Sequence, residues 1–120
     1  MGLEPMLDGK IMVGLVEKVN IKANGKKAKT VDAKIDTGAT KSSIDINLAN
    51  KLGLGPIIKS KVIKSAHGSK LRPIIEADIE IAGISLHSEF TLADRSHLKY
   101  IMLIGQDILK KGFLIDPSKA

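Results

Sequence analysis

Between Ile75 and Ile81 the residues Ile75, Ala77, Ile79 and Ile81 alternate with Glu76, Asp78 and Glu80. That two-residue period is the signature of a strand with one buried and one wet face. Ala82-Gly83 then turns the chain into a second β-prone run, Ile84 to Leu92, so a hairpin is expected here. Hydrophobic residues make up 43% of the chain but aromatics only 2%. The core must therefore be filled by Ile, Leu, Val, Met and Ala, and enough of them are present to exclude disorder.

The same reading extends outward. Ile11, Val13, Leu15, Val19 and Ile21 fall at period two, Asn24-Gly25 is a turn dipeptide, and Val31, Ala33 and Ile35 resume the alternation, which predicts another hairpin. Residues 45–52 read as a short helix with Ile44, Leu48 and Leu52 on one face, Asp45 or Asn47 as N-cap, and Gly53 ending it. Ile57 to Ser65 is β-prone, His67-Gly68-Ser69 is a hairpin tip, and Leu71 to Ile75 leads away. Tyr100 to Ile104 is continuously apolar, and a short helix over 106–111 and a strand over 112–115 close the chain. These elements predict one small domain, a mainly β, mostly antiparallel barrel or sandwich with one or two short helices. Residues 1–10 and 118–120 are read as tails around a domain spanning 11–117.

Several classes are excluded by what is missing. With no Cys in 120 residues there is no disulfide scaffold, thiolate zinc site, iron–sulfur cluster or cysteine nucleophile. No apolar run approaches the roughly 20 residues that span a bilayer, and residues 1–10 lack the apolar stretch of a leader; a soluble, cytoplasmic protein is expected. The net charge of +6 invites nucleic acid, since Lys and Arg neutralise phosphate. Against that, Phe90, Tyr100 and Phe113 are scattered and offer no stacking platform. The three histidines, His67, His87 and His97, show no metal-ligand spacing, and no cofactor motif is visible.

The chemically informative stretch is Ala33-Lys34-Ile35-Asp36-Thr37-Gly38-Ala39-Thr40, where an alternating strand breaks into a glycine-containing turn, paired at a distance with Met102-Leu103-Ile104-Gly105-Gln106-Asp107-Ile108-Leu109. By itself Asp-Thr-Gly is ordinary turn chemistry. The preceding strand, the following Ala39, a hairpin, and then two apolar residues and a glycine before a short helix occur here in the order that resembles the retropepsin-like aspartic proteases. The C-terminal third, from Leu92-Ala93-Asp94-Arg95-Ser96 through Leu103-Ile104-Gly105 to Phe113-Leu114-Ile115-Asp116-Pro117-Ser118, is similar to the retropepsin-like family called ATP-dependent zinc proteases, found beside ATP-grasp glutamate ligases. No nucleotide-binding loop or zinc spacing supports either part of that family's name.

The resemblance implies a closed, single-lobed acid-protease barrel and hydrolysis of peptides by a carboxylate pair. One Asp stays charged to activate water while the other is protonated, because like charges at close range cannot both ionise. One Asp-Thr-Gly supplies one carboxylate, so a homodimer is implied, with Asp36 from each copy at a twofold axis and the pair titrating as a unit. Thr37 would bond to the partner loop, Gly38 would admit water, and Ala39 would keep the floor small. Ile104-Gly105 would pack behind the loop, and His67, Gly68 and Ser69 would cover the substrate as a flap.

The sequence departs from the retroviral pattern at Thr40 and Gln106, which stand where an acid and an Arg usually brace the dimer. The basic residue that the closer family has after Ala comes one place later, at Lys41. An acidic peptide would suit a cleft rimmed by Lys34, Lys41, Lys64, Lys70 and Arg72. Two other readings compete: a catalytically weak domain that binds a protein or peptide, and a metal-dependent hydrolase. Asp94-Arg95 reads as a structural ion pair, and Ser42-Ser43 as strand or cap chemistry.

Overall fold

The computed structural model describes residues 6–23, 26–66 and 68–119. Strands β1 (Met6–Leu7), β2 (Lys10–Val13), β3 (Val16–Ala23) and β4 (Lys26–Ile35) lead to β5 (Ser43–Asp45) and helix α1 (Ile46–Lys51). They are followed by β6 (Lys59–Ser65), β7 (Gly68–Ile81), β8 (Ile84–Ala93), β9 (Met102–Ile104), helix α2 (Gln106–Leu109) and β10 (Phe113–Ile115). The alternating segments are strands because their apolar side chains all point to one face. Val19, Ile21, Ile79 and Ile81 are buried, while Glu80 between the last two and Lys22 after Ile21 are exposed.

Strand order β3-β4-β9-β5-β8-β7 closes on itself through a β3–β7 pairing that sets Val19 opposite Ile81 and Ile21 opposite Ile79. The result is a six-stranded barrel with no free edge, packed around Phe90, Met102, Ile104 and branched aliphatics. The fold is thus the mainly β, closed, retropepsin-like barrel with two short helices. Most neighbours are antiparallel, but β4–β9, β5–β8 and β2–β10 run parallel. The β7–β8 hairpin turns at Ala82 (φ +50°) and Gly83 (φ +80°), the pair of positive φ values that matches strand twist in a two-residue turn.

Three expectations change. The apolar alternation from Ile11 to Ile21 is not one strand, for it breaks at Gly14 and leaves Leu15 exposed. The first half, β2, leaves the barrel for a separate sheet in the order β1-β2-β10. That sheet also takes in part of the expected tail, pairing Met6 with Ile11 and Leu7 with Lys10 around a turn at Asp8-Gly9. Near the other end, Lys119 Nζ donates to Glu17 Oε2 at 2.9 Å and to the Met12 carbonyl at 3.2 Å, so the chain is tied down past residue 117. Finally, Leu71–Ile75 and Ile75–Ile81 belong to one 14-residue strand, β7, whose residues 68–73 pair only with β6. The Asn24-Gly25 turn lies outside the described residues.

Of the two expected caps, Asp45 and not Asn47 starts helix α1: its Oδ2 accepts from Leu48 N at 3.2 Å, while Gly53 follows at φ +68°.

Candidate functional site

Asp36 is the first residue past β4. Its backbone N–H donates to the Ile104 carbonyl at 2.9 Å, extending the β4–β9 pairing by one rung. The chain then turns sharply. Gly38 N donates to Asp36 Oδ1 at 2.9 Å and Ala39 N to the Asp36 carbonyl at 3.3 Å, so the carboxylate is oriented by its own loop. Asp36 is half-buried, whereas Thr37 and Gly38 are exposed.

The loop is held from behind by the start of α2. Gln106 N donates to the Ala39 carbonyl at 2.8 Å, and Gln106 Nε2 to the Thr37 carbonyl at 2.7 Å. Thus Gln106 does not bond to the Thr40 side chain; it clamps the turn within its own chain, and Thr40 contributes its carbonyl to Asp107 N at 3.2 Å. Gly105 passes so close beneath the loop that an added Cβ would lie 2.8 Å from the Ala39 and Lys41 carbonyl oxygens.

Ser42 was expected to be strand or cap chemistry, but it is the fully buried bolt of this arrangement. Its Oγ donates to Asp107 Oδ1 at 2.7 Å and accepts from Gly105 N at 2.9 Å, while its own N–H donates to the same Asp107 oxygen at 3.0 Å. Only the fold brings residues 42, 105 and 107 together, so no local motif could have marked Ser42. Ser42→Ala strands the Gly105 N–H without an acceptor, and a loss of about 2 kcal/mol is expected in denaturant unfolding.

A cleft of about 490 Å³ opens beside the loop, bordered by Gly38, Ala39, Thr40 and Lys41 on one side and by Lys61 to Lys64 of β6 on the other. The β6–β7 hairpin projects over it, with Ser65 opposite Gly68 and Lys64 opposite Ser69 at its far end. Gly68 and Ser69 are exposed there, but neither borders the cleft. His67 lies outside the described residues.

Of the expected basic rim, Lys41, Lys64 and Arg72 border the cleft, joined by Lys61 and Arg95, whereas Lys34 and Lys70 do not. Lys41 is not free, since its Nζ pairs with Glu89 at 3.1 Å, and the other Glu89 oxygen takes Lys59 at 3.0 Å. The two ammonium groups hold the Glu89 carboxyl below its ordinary value. Asp94 and Arg95 do not pair with each other. Asp94 Oδ1 accepts from Ser96 N and Oγ, which keeps its pKa low, while Arg95 N donates to buried Asp45. His87 lies on the outer face of β7–β8, with Nδ1 2.7 Å from Asp78 and Nε2 3.3 Å from Glu76, contacts that raise its pKa.

Two other hollows lack this combination. A groove of about 700 Å³ runs over Glu17, Lys18, Asn20 and Asp32, with its charges largely paired to one another. A mostly apolar hollow of about 470 Å³ joins Thr37 and Gln106 to β10.

A barrel with an Asp-Thr-Gly loop under a projecting hairpin defines the retropepsin-like class, and solved structures agree on the fold. The EIAV protease bound to the inhibitor HBY-793 superposes with a TM-score of 0.65 at 19% identity, covering 91% of this chain and 93% of that one. Lpg0085 from Legionella pneumophila, a protein of unknown function, gives 0.61 at 21% identity over 91% and 94%. The retroviral protease-like domain of Ddi1 from Leishmania major gives 0.55 at 20% over 82% and 75%.

Residues 47–120 match the family model described as RimB-like, retropepsin-like aspartic endopeptidase RimB, and the chain belongs to that family. The matched stretch holds the hairpin, β9 and the Ile104-Gly105 pair and begins after the Asp36 loop. A probable alpha-L-glutamate ligase of Shewanella pealeana is 28% identical over 96% of this chain. The chain spans about 30% of that relative's length.

Proposed function

We propose that this chain is an aspartic peptidase that cuts extended peptides with a water activated by Asp36 from two copies. The observation that carries the reading is the Asp36 loop: Asp36 is half-buried and oriented by Gly38 N, and the residues that follow it, Gly38 to Lys41, wall a cleft beneath the β6–β7 hairpin. Two carboxylates are needed for acid–base catalysis of this type, and the chain has one Asp-Thr-Gly.

The surface around Thr37 suits a twofold contact. Thr37 is exposed and shares a mostly apolar hollow with β10, and among the described residues β10 pairs on one side only, with β2. An exposed strand edge is a template for pairing with another copy. The glutamate-ligase relative and the basic cleft wall together favour a glutamate-rich peptide as substrate. In this scheme Ala39 lines the floor of the cleft, and Gly68 and Ser69 belong to a flap that closes over bound peptide.

The test is specific activity on an acidic peptide library as a function of chain concentration, with sedimentation run in parallel. Activity per chain should rise with concentration and level off as the dimer fills. A chain that stays monomeric and yet binds peptide without cutting it overturns the peptidase reading in favour of a binding domain.

A further inference from the structure

Among the cations around the cleft, Arg95 differs from the rest in how it is held. The lysines of β6 are exposed and sit on the projecting hairpin, and Lys41 is engaged with Glu89. Arg95 is half-buried on the barrel side of the cleft, in the connection that follows β8. Its backbone N–H donates at 2.8 Å to Asp45 Oδ1, and its Nε donates at 3.0 Å to the Tyr100 carbonyl. Asp45 is itself buried and spends its second oxygen on Leu48 N. The side chain is therefore fixed at both its root and its neck.

The guanidinium still has donors to give. Beyond Nε, its N–H groups make no hydrogen bond to a described residue, and no described carboxylate lies within ion-pair distance. The neighbouring acid, Asp94, is committed to Ser96. Burial lowers the Arg95 pKa, and the charges of Asp36 and Asp45 act in the opposite sense. Arg95 thus shares an electrostatic environment with Asp36. A planar fork of donors, held rigid and left unpaired in a cleft, is the arrangement that takes a carboxylate with both oxygens.

We propose that Arg95 is the specificity-determining residue of the cleft and receives a carboxylate of the bound peptide beside the Asp36 loop. This rests on reading the cleft as the peptide site. The carboxylate can be a Glu or Asp side chain or the peptide's own C-terminus, and these share one chemistry.

The experiment measures binding rather than turnover, so that it stays readable if no peptide is cut. Hexapeptides carrying an uncleavable hydroxyethylene link are prepared with Glu or Gln on either side of it, each with a free or an amidated C-terminus. They are titrated into the intact protein, Arg95→Gln, Arg95→Lys and the control Arg72→Gln.

The intact protein should bind at least one acidic form more tightly than its neutral counterpart. Arg95→Gln should weaken that form by about 10- to 100-fold and leave the Gln amide unchanged, with Arg95→Lys in between. Dependence on Glu whatever the terminus assigns the side chain, and dependence on the free terminus alone assigns the C-terminal carboxylate. Either outcome supports Arg95. The proposal is overturned if the intact protein shows no preference for a carboxylate, if Arg72→Gln removes the preference and Arg95→Gln does not, or if Arg95→Gln weakens acidic and neutral peptides equally. A failure to cut any library peptide would count against the peptidase reading alone.

Discussion

Asp36→Asn is expected to abolish peptide cleavage, lowering kcat/KM by at least about 10³-fold, while leaving the unfolding midpoint nearly unchanged. The fold should tolerate it because the one bond to that side chain from the described residues, from Gly38 N to Oδ1 at 2.9 Å, can be accepted equally by an amide oxygen. The chemistry should not, since an amide can neither take a proton from water nor share one with a second carboxylate. Mixing carries the sharper consequence. If each site needs Asp36 from two copies, adding an equal amount of Asp36→Asn to intact chains should cut the total activity to about half, because heterodimers carry a single carboxylate. Activity unaffected by the added variant, under conditions where subunits exchange, would place the whole chemistry within one chain.

How far the sequence foretold this fold depends on whether an element's signal was local. The β7–β8 hairpin was legible because its alternation and its turn are written in adjacent residues, and both survive as strands meeting at Ala82-Gly83. The α1 N-cap at Asp45 was legible for the same reason. The break at Gly14 was not. Alternation runs on through it, and what separates β2 from β3 is pairing with β10 about a hundred residues away. In that case tertiary contact overrode a period that was correct on each side.

The site shows the same division. The Asp36-Thr37-Gly38-Ala39 turn and the Ile104-Gly105 pair could be picked out as segments, and the β4–β9 pairing sets Ile35 directly opposite Ile104. Their supports could not. Ser42 serves Gly105 and Asp107 from more than sixty residues away, and Gln106 bonds to the Thr37 carbonyl rather than to the Thr40 side chain. Backbone carbonyls carry no residue identity, so a side chain that binds one leaves no covarying or complementary letter to notice. Arg95 does not stand out in the sequence because Asp94 is next to it. An adjacent opposite charge looks like a pair until the Asp is found turned onto Ser96.

Gly105→Ala is the substitution expected to damage the protein most through packing. Gly105 has φ −100° and ψ −170°, extended backbone that alanine adopts freely, so no conformational penalty arises. The cost is steric. The new Cβ would sit 2.8 Å from the Ala39 oxygen, the Lys41 carbon and the Lys41 oxygen, all backbone atoms. Neither carbonyl can retreat cheaply. The Ala39 oxygen is holding Gln106 N at 2.8 Å, and Lys41 is followed by Ser42, which is fixed to Asp107. Relief must therefore come from moving the loop that carries Asp36, so stability and site geometry are lost together. A destabilisation of about 3 kcal/mol and a fall in Tm on the order of 10 °C are expected, with activity reduced even at temperatures where the variant remains folded. Thr40→Ala is the comparison, since that exposed side chain lies in the same loop and its loss should change stability by no more than about 0.5 kcal/mol. If Gly105→Ala unfolded at the same temperature as the intact chain, the close approach of β9 and α2 to the Asp36 loop could not be what holds the site in place.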